Sequence, residues 1–358
     1  MLTVGSFTFL TEDLANIRYS FAGSNMGMSG IITAQLTADC RADEETAAAI
    51  ANGVPPGSAV TFTVSETGYS IPDMVLGFVG IRDGGLTVTA YDKTVNADIE
   101  FTAAGTSFTE WADAAHTRKN LYHASDVLNA AAQKMGLGGA GNVPVLPDLY
   151  YNEFVGKSCR QIFEEASKVG GIWYAAQGSI VFSPFNASSS SFTPPAETDR
   201  TDIKYLGSKI ISRAFVTDSY HNAVYEYGNT SSAWYSTVTV SGAYLIGSSM
   251  CAAAGGRIVG QIYHAWRVDK LRMSGLVPPG ALYTQGLQSY PVLDLVVDFG
   301  ATDITASCGA PAVQQSYADY QSLEQRALEN KIDYNALVGI LKADKDGNLS
   351  ITTRAADG

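Results

Sequence analysis

The segment from Phe78 to Asp92 constrains the fold of this chain more than any other. Two short apolar runs flank the turn Asp83-Gly84-Gly85. The second run alternates, with apolar Leu86, Val88 and Ala90 separated by Thr87, Thr89 and Tyr91. A period of two beside a glycine-containing turn predicts a β-hairpin. We expect its turn to need a positive φ, which a β-branched residue adopts poorly.

The pattern over residues 1–105 is typical of a strand-rich domain. It predicts one short Ala-rich helix, Glu44–Ala51, followed by Gly and Pro residues. The candidate strands are the run around Phe7 and Phe9, Ile17–Phe21, Gly30–Ala38 and Ala59–Glu66. Several strands with a single helix suggest a closed or nearly closed β-barrel.

Residues 106–200 change to an α+β pattern. Apolar residues at helical spacing predict a helix over Ser125–Met135. Ser158, with Gln161 three residues later, predicts a capping box at the start of a second helix, which Gly170-Gly171 ends. A hairpin of the strands Ile172–Ala175 and Ile180–Phe185 is predicted to follow. A linker is predicted over 188–195.

Residues 201–310 return to the strand-rich pattern, with one predicted helix at Met250–Trp266. The predicted strands are Ile210–Val216, Asn222–Tyr227, Ser236–Val240, Leu293–Val297 and Ile304–Ser307. Residues 311–358 are predicted to add a helix over Gln314–Asn330 and a hairpin over Leu341–Thr353. The predicted fold class is mainly β with an α+β insertion, in four regions: 1–105, 106–200, 201–310 and 311–358.

Composition narrows the function classes. The net charge of −12 makes the chain a poor general binder of nucleic acid, because neutralising phosphate needs Lys and Arg. The four cysteines, Cys40, Cys159, Cys251 and Cys308, are far apart and indicate small buried residues in a reducing compartment. The N-terminus lacks the basic and apolar regions of a signal peptide, and no apolar run is long enough for a membrane span. We therefore expect a protein that stays in the cytosol until assembly or lysis.

No motif of catalysis or cofactor binding is present. The sequence has neither a G-x-S-x-G elbow nor a P-loop. The glycines at 136–141 follow a predicted helix, whereas the glycine-rich loop of a dinucleotide-binding site follows a strand. Glu164 and Glu165 are adjacent on one predicted helix, so they cannot straddle a glycosidic bond. The four histidines, His116, His123, His221 and His264, show no spacing typical of metal ligands. We expect no cofactor, no metal and no enzymatic activity.

Two further patterns could suggest binding sites, but structural interpretations are favoured for both. Asp344, Asp346 and Asn348 are similar to a calcium loop, but no Glu occupies the twelfth position, so a hairpin turn is favoured. A group of aromatic residues suggests either a sugar-binding platform or a barrel core with a subunit interface: Tyr220, Tyr225, Tyr227, Trp234, Tyr235 and Tyr244. The second interpretation is favoured.

Three segments, in this order, resemble the baseplate hub family of phage tails, which includes prophage tail-hub and late-control proteins. They are the hairpin strand Thr87–Asp92, the helix Ala124–Leu128, and Gly156–Tyr174 with its capped helix and Gly-Gly-Ile-Trp-Tyr strand. The resemblance covers about the first half of the chain and carries no chemistry. Its structural motif positions are Asp83, Gly84, Gly85, Tyr91, Asp92, Ser125, Ser158, Gln161, Gly170 and Gly171.

The resemblance implies a homotrimeric ring with two tail-tube-like β-barrels per chain, 1–105 and 201–310, and a helix-hairpin domain between them. It implies a place at the tail tip or baseplate of a virion, after assembly in the host cytoplasm. The implied neighbours are the tail tube or distal tail protein above and a central spike, fibre or tape-measure protein. Genomic DNA would pass through in transit, along a channel that we expect to be lined by acidic side chains, and the host surface would be contacted indirectly.

Two other functions remain open. One is a receptor- or carbohydrate-binding module at the same tail tip, which would bind glycan as an isolated protein. The other is a cell-wall hydrolase, which the missing acid/base pair disfavours.

Overall fold

The computed structural model describes residues 1–22, 30–64, 69–102, 121–150, 153–185, 191–192, 203–205, 210–218, 220–228, 235–242, 244–260, 266–272, 276–285, 288–300, 304–310, 341–343 and 349–351. The chain forms two compact units, Met1–Pro311 and Ala312–Gly358. No helix in the described part of the chain is both long and apolar enough to cross a bilayer.

The fold is mainly β. The strands of the N-terminal part are β1 (Leu2–Val4), β2 (Phe7–Phe9), β3 (Leu14–Ala22), β4 (Ile31–Ile32), β5 (Ala34–Arg41), β6 (Ala59–Val64), β7 (Tyr69–Arg82) and β8 (Gly85–Asp92). Those of the middle part are β9 (Leu121–Tyr122), β10 (Ala140–Gly141), β11 (Leu149–Tyr150), β12 (Gly171–Ala176), β13 (Ser179–Pro184) and β14 (Ser191–Phe192).

The remaining strands come from the last 160 or so residues. They are β15 (Ile203–Tyr205), β16 (Ile210–Asp218), β17 (Ala223–Gly228), β18 (Tyr235–Ser241), β19 (Trp266–Arg272), β20 (Leu282–Gln285), β21 (Gln288–Pro291), β22 (Asp294–Phe299), β23 (Ile304–Ala310), β24 (Leu341–Ala343) and β25 (Leu349–Ile351). The α-helices are α1 (Glu44–Gly53), α2 (Ala124–Lys134), α3 (Cys159–Ser167) and α4 (Ser248–Ile258), and short 3-10 helices span Thr11–Asp13 and Lys93–Asp98.

One sheet of 11 strands joins the two strand-rich regions of the sequence. Its order is β15-β19-β23-β22-β3-β5-β8-β7-β6-β1-β2. The junction is the antiparallel pair β3–β22, in which Phe21 lies opposite Leu295 and Ile17 opposite Phe299. Four strands from 201–310 thus continue the sheet of the N-terminal region, so the arrangement as two separate barrels stays a prediction.

The large sheet curls until strands far apart in its order touch. Phe299 of β22 packs edge-on against Phe62 of β6, with ring centroids 5.1 Å apart, and against Tyr69 of β7 at 5.7 Å. All three side chains are at most 7% exposed. The alternation of buried and exposed residues along β22 places Leu295, Val297 and Phe299 on this inner face. The curled sheet therefore encloses its own core.

The smaller sheets carry the rest of the chain. A parallel pair, β4–β12, ties the N-terminal region to the β12–β13 hairpin, with Ile31 opposite Trp173. Helix α4 packs on a three-stranded sheet of order β17-β16-β18, where the ring of Tyr227 lies so close to Gly255 that a Cβ there would be 2.2 Å from it. A second three-stranded sheet has the order β14-β20-β21. In the C-terminal unit, β24 and β25 pair antiparallel around 344–348, which lies outside the described residues.

Most local predictions are confirmed. Helix α1 covers the predicted Glu44–Ala51, and α2 begins one residue before the predicted Ser125. The predicted linker is described only at β14, and the predicted helix Gln314–Asn330 lies wholly outside the described residues.

The predicted helix Met250–Trp266 is wrong in its second half. Helix α4 ends at Ile258, and Trp266 instead begins strand β19. The chain leaves the helix because Val259 is extended and Gly260 has a φ of 92°, while the Gly260 N–H donates to the carbonyl of Ile211 at 2.7 Å. Trp266, the last residue of the predicted helix, therefore belongs to a strand.

We expect Phe299→Ala to destabilise the protein strongly. Truncating a buried Phe costs about 3–5 kcal/mol, and here it also removes the contact that closes the curled sheet. Urea unfolding followed by circular dichroism measures the loss. Phe78→Ala is the matched control, because Phe78 is 56% exposed where Phe299 is 7% exposed. Equal losses from the two variants would contradict the assignment of Phe299 to the closure.

Candidate functional site: the long hairpin

The predicted hairpin is present and is longer than the sequence indicated. Strand β7 has 14 residues and β8 has eight, joined by the two-residue turn Asp83-Gly84. Arg82 pairs with Gly85 next to the turn, and Met74 pairs with Asp92 at the other end. The alternation of Leu86, Val88 and Ala90, all at most 1% exposed, places one face of β8 in the core as expected. The hairpin thus has a base near Asp92 and a tip at Asp83.

The two glycines of the turn are needed for different reasons. Gly84 has a φ of 76°, as the turn was expected to require, and its Cβ position is open. Gly85 does not have a positive φ. A Cβ on Gly85 would instead lie 2.1 Å from the carbonyl oxygen of Cys40 in the neighbouring strand β5. Gly85 is therefore required by close approach of the backbone.

The tip of the hairpin has an open edge. Strand β6 pairs with β7 only as far as Val75, and Leu76 still exchanges backbone hydrogen bonds with Gly57 and Ser58. Beyond Gly77, β7 has β8 on one side and no strand of the described chain on the other. Gly77 is also the point of a bulge, where a Cβ would be 2.5 Å from the ring of Tyr91. The bulge separates the paired half of β7 from the open half.

Large apolar side chains lie exposed on this open half. Phe78 is 56% and Ile81 is 58% exposed, on one short stretch of strand. Arg82, at its end, forms an ion pair of 2.8 Å with Asp39 of β5, which also accepts from Asn16 Nδ2 and Thr87 Oγ1. Burial alone would raise the pKa of Asp39, but these hydrogen bonds and the charge of Arg82 lower it. The tip is thereby held in place while its apolar side chains face solvent.

Asp92 holds the base of the hairpin. Its carboxylate accepts hydrogen bonds from the backbone N–H of Ala34 at 2.6 Å and of Thr94 at 2.8 Å, and a further short one from the Thr94 hydroxyl. Asp92 caps the following 3-10 helix, which explains the Asp at this position of the motif. Burial raises the pKa of Asp92, although the hydrogen bonds oppose that shift. The side chain links strand β5, the end of β8 and the next turn.

The other motif positions serve the helix-hairpin region. Ser158 is the N-cap of α3, and the capping box with Gln161 is confirmed, since the Gln161 N–H donates to Ser158 Oγ at 3.2 Å and the Ser158 N–H donates to Gln161 Oε1 at 2.9 Å. Ser125 is exposed in the first turn of α2, whose N-cap is His123. Gly170 has a φ of 96°, and a Cβ on Gly171 would be 2.3 Å from the Phe182 ring. Ser158 and Gln161 thus cap α3, and Gly171 allows the close approach of Phe182.

A second carboxylate, which sequence reasoning missed, organises the sheet that packs on α4. Asp218 is fully buried and accepts from the backbone N–H groups of Tyr220, His221 and Gly247 and from His221 Nδ1 at 2.7 Å. Burial alone would raise the pKa of Asp218, but the hydrogen bonds from His221 and Gly247 lower it to about 2. The donors from Tyr220 and His221 are local, but the link to the start of α4 could not be read from the sequence, because Gly247 is 29 residues away.

Most of the Glu, His and Cys residues considered for catalysis or metal binding form ion pairs or are buried where the structure describes them. Glu165 forms an ion pair with Lys168 at 2.6 Å, and His123 pairs with Asp148 at 2.8 Å. His116 and His264 lie outside the described residues. Among the described side chains, no three His, Cys, Asp or Glu residues come together as metal ligands. Three cysteines are buried thiols, and burial raises the pKa of Cys40 to about 12 and of Cys159 to about 11.

The described members of the aromatic group do not form one exposed platform. Tyr244 is 1% exposed, and Tyr227 packs against Gly255 of α4. Only Tyr220 is strongly exposed, at 72%, among the members whose side chains are described; Trp234 and the side chain of Tyr235 are outside them. This distribution favours packing over sugar binding.

The solved structures similar in fold to this chain include tail and baseplate proteins. One is the 43 kDa tail protein of prophage MuSo2 from Shewanella oneidensis, with a TM-score of 0.48, 9% identity, and coverage of 87% of this chain and 97% of that chain. Another is the tail protein from Neisseria meningitidis MC58, with a TM-score of 0.46, 12% identity, and coverage of 84% and 93%. A chain of the phage P2 baseplate in its activated conformation with Ca has a TM-score of 0.30, 8% identity, and coverage of 84% and 89%.

Comparison by sequence adds no family. No protein-family model matches the chain, and no curated protein matches it.

We expect Gly85→Ala to be more destabilising than Gly84→Ala. The left-handed conformation at Gly84 costs a residue with a Cβ about 1–2 kcal/mol. At Gly85 the added Cβ meets a backbone carbonyl, so two paired strands must move apart, and we expect a loss above about 2 kcal/mol. Chemical denaturation of both single variants measures the order. A larger loss at Gly84 would contradict the role assigned to the Cys40 carbonyl.

Asp218 makes the stability fall in acid. Its folded-state pKa of about 2 lies below the ordinary 3.8, so its contribution is fully present above pH 3.8 and is lost as the pH falls toward 2. We expect Asp218→Asn to be less stable than the wild type at pH 7 and to lose less stability over that window. His221→Ala, which removes one of the four donors, should fall between the two. Parallel acid profiles for all three proteins, from thermal unfolding, would refute this role.

Proposed function

We propose that this protein is the structural hub of a phage or phage-like tail tip or baseplate. In this proposal three copies form a ring that joins a six-fold tail tube to a three-fold central spike or fibre. Support comes first from the three segments that resemble the hub family. They fold as a hairpin strand, β8, as a helix, α2, and as a capped helix with a following hairpin, α3 with β12 and β13.

The observation that carries the proposal is the open half of β7. An unpaired strand edge is a template for pairing with another chain, and proteins that remain monomeric usually protect such edges with charges or bulges. Here a bulge at Gly77 begins the open stretch and Arg82 ends it, but the stretch also carries exposed Phe78 and Ile81. Main-chain pairing with burial of these side chains fits a contact between subunits better than a solvent-facing role.

The curled sheet also fits a tube-like subunit. It is built from both strand-rich regions, because β3 pairs with β22, and it encloses an apolar core. We propose that this curled sheet and the sheet of β16, β17 and β18 with its helix α4 supply two wall elements per chain. Three chains would then present six elements to the tail tube, through the two regions 1–105 and 201–310 with the helix-hairpin region 106–200 between them.

The charge of the chain suits the passage of DNA. With 35 acidic and 23 basic residues, the surface as a whole repels phosphate. We propose that acidic side chains line the channel of the ring, so that DNA passes without being held. The proposal assigns no catalytic step to the chain, and its partners are the tail tube or distal tail protein, the central spike, fibre or tape-measure protein, and other copies of itself.

We expect Phe78→Ser with Ile81→Ser to abolish ring formation without unfolding the chain. Both side chains are exposed in the single subunit, so their replacement should change its stability by no more than about 0.5 kcal/mol. Assembly is measured by electron microscopy of particles produced with the variant, and folding by the thermal transition of the purified chain.

Val145→Ser is the matched control, because Val145 is 82% exposed but lies outside the hairpin. It should assemble like the wild type. Normal three-fold rings from the double variant would contradict the interface, and a ring with six copies of this chain would contradict the proposed hub.

A further inference from the structure

A cavity at the base of the hairpin belongs to none of the roles above. Its volume is 420 Å³, and it lies where β3, β5 and β7 meet the turn of the β12–β13 hairpin and the segment Leu276–Pro279. Much of its wall is apolar, including Ile71, Pro72, Met74, Leu137, Val277 and Pro278. Ligand-binding cavities commonly have this size and composition, with a few polar groups that fix the ligand.

One polar group of the wall is the carboxylate of Asp92. Asp92 is 7% exposed, and within the described chain its oxygens accept from Ala34 and Thr94 only. A carboxylate has about four acceptor positions, so one remains free after these three hydrogen bonds. No Lys, Arg or His is among the residues that line the cavity, and no described cation pairs with Asp92. A buried negative charge without a cation is unfavourable, and burial raises the pKa of Asp92.

Two phenols add a second, independent feature. Tyr19 and Tyr174 both line the cavity, and neither hydroxyl has a hydrogen-bond partner within the described chain. Burial raises the pKa of both, and the charge of Asp92 contributes at Tyr19. A phenol oxygen accepts from a cation, and the ring attracts a cation over its face. Asp73, exposed and also in the wall, places a second negative charge there.

We propose that this cavity binds the cationic end of an alkylammonium or alkylguanidinium group. The head group pairs with Asp92 and takes up the hydroxyls of Tyr19 and Tyr174, while the aliphatic stem lies against the apolar wall. A free alkylamine and a Lys or Arg side chain of a partner protein share this chemistry. The inference uses only the groups of the cavity and does not depend on the proposed hub function.

The test is titration calorimetry of the purified full-length chain with three probes. We expect Nα-acetyl-lysine amide to bind with a millimolar dissociation constant, and its uncharged isostere Nα-acetyl-norleucine amide to bind at least about tenfold more weakly. The third probe, n-butylammonium, separates the two sources. Equal affinity for it and the lysine amide assigns the site to free amines, whereas tighter binding of the lysine amide assigns it to a partner's side chain.

Variants locate the binding. We expect Tyr19→Phe with Asp73→Asn to weaken binding of the lysine amide by about tenfold. The double variant should fold, because the Tyr19 hydroxyl has no partner to lose and Asn accepts the positive φ of 62° found at Asp73. Asp83→Asn at the hairpin tip is the control and should bind like the wild type. Failure of all three probes to bind, equal binding of the norleucine analogue, or unchanged binding by the double variant would each overturn the proposal.

Discussion

The pairing of β3 with β22 is the contact on which the rest of this structure depends. It joins a strand near the start of the chain to one 280 residues later, as the Arg18–Asp298 contact shows. Through it, four strands of the second strand-rich region extend the sheet built by the first. It also brings Phe299 onto the inner face, where it packs against Phe62 and Tyr69. Without this pair the N-terminal sheet would lose both a neighbour and its closing side chain.

Two buried carboxylates also connect separate elements of the fold. Asp92 ties the base of the long hairpin to β5, and Asp218 ties the end of β16 to the start of α4. Each carboxylate accepts hydrogen bonds from backbone N–H groups, which would otherwise lack partners at the ends of strands and helices. The two differ in their pKa because Asp218 has four donors, including a histidine ring, whereas burial prevails at Asp92. One acceptor position of Asp92 is therefore left unfilled by the described chain.

Features set by local sequence could be predicted, and those set by distant partners could not. The turn at Gly84, the capping box of Ser158 and Gln161, and the span of α2 follow from neighbours within a few residues. The β3–β22 register and the parallel pair β4–β12 depend on segments far apart in the chain, so no local pattern specifies them. The failure at Trp266 has the same origin, since β23 pairs with that residue and makes it a strand.

The same contrast between local and distant determinants applies to the long hairpin. Its strands could be predicted, because alternation and turn chemistry are local, whereas Asp92 is identified only as a motif position of the family resemblance. The open edge of the hairpin could not be predicted, because it results from where β6 stops pairing, and the exposure of Phe78 and Ile81 follows from that. The role of Gly85 was missed for a related reason: the atom that excludes a side chain there belongs to Cys40, on another strand.

The distant strand pair and the aromatic closure must form together. Closing a loop costs more as the loop grows, by about 0.6 kcal/mol per doubling of its length. The β3–β5 pair closes locally, with Phe21 opposite Ala34, so the closure to β22 costs roughly 2–3 kcal/mol more. The Arg18–Asp298 ion pair, 57% and 50% exposed, contributes at most about 1 kcal/mol. Burial of the Phe299 side chain contributes about 1.5–3 kcal/mol, which is of the size required. We therefore expect the outer edge of β3 to stay unpaired during folding until Phe299 reaches the core, so that the two halves of the sheet are completed together.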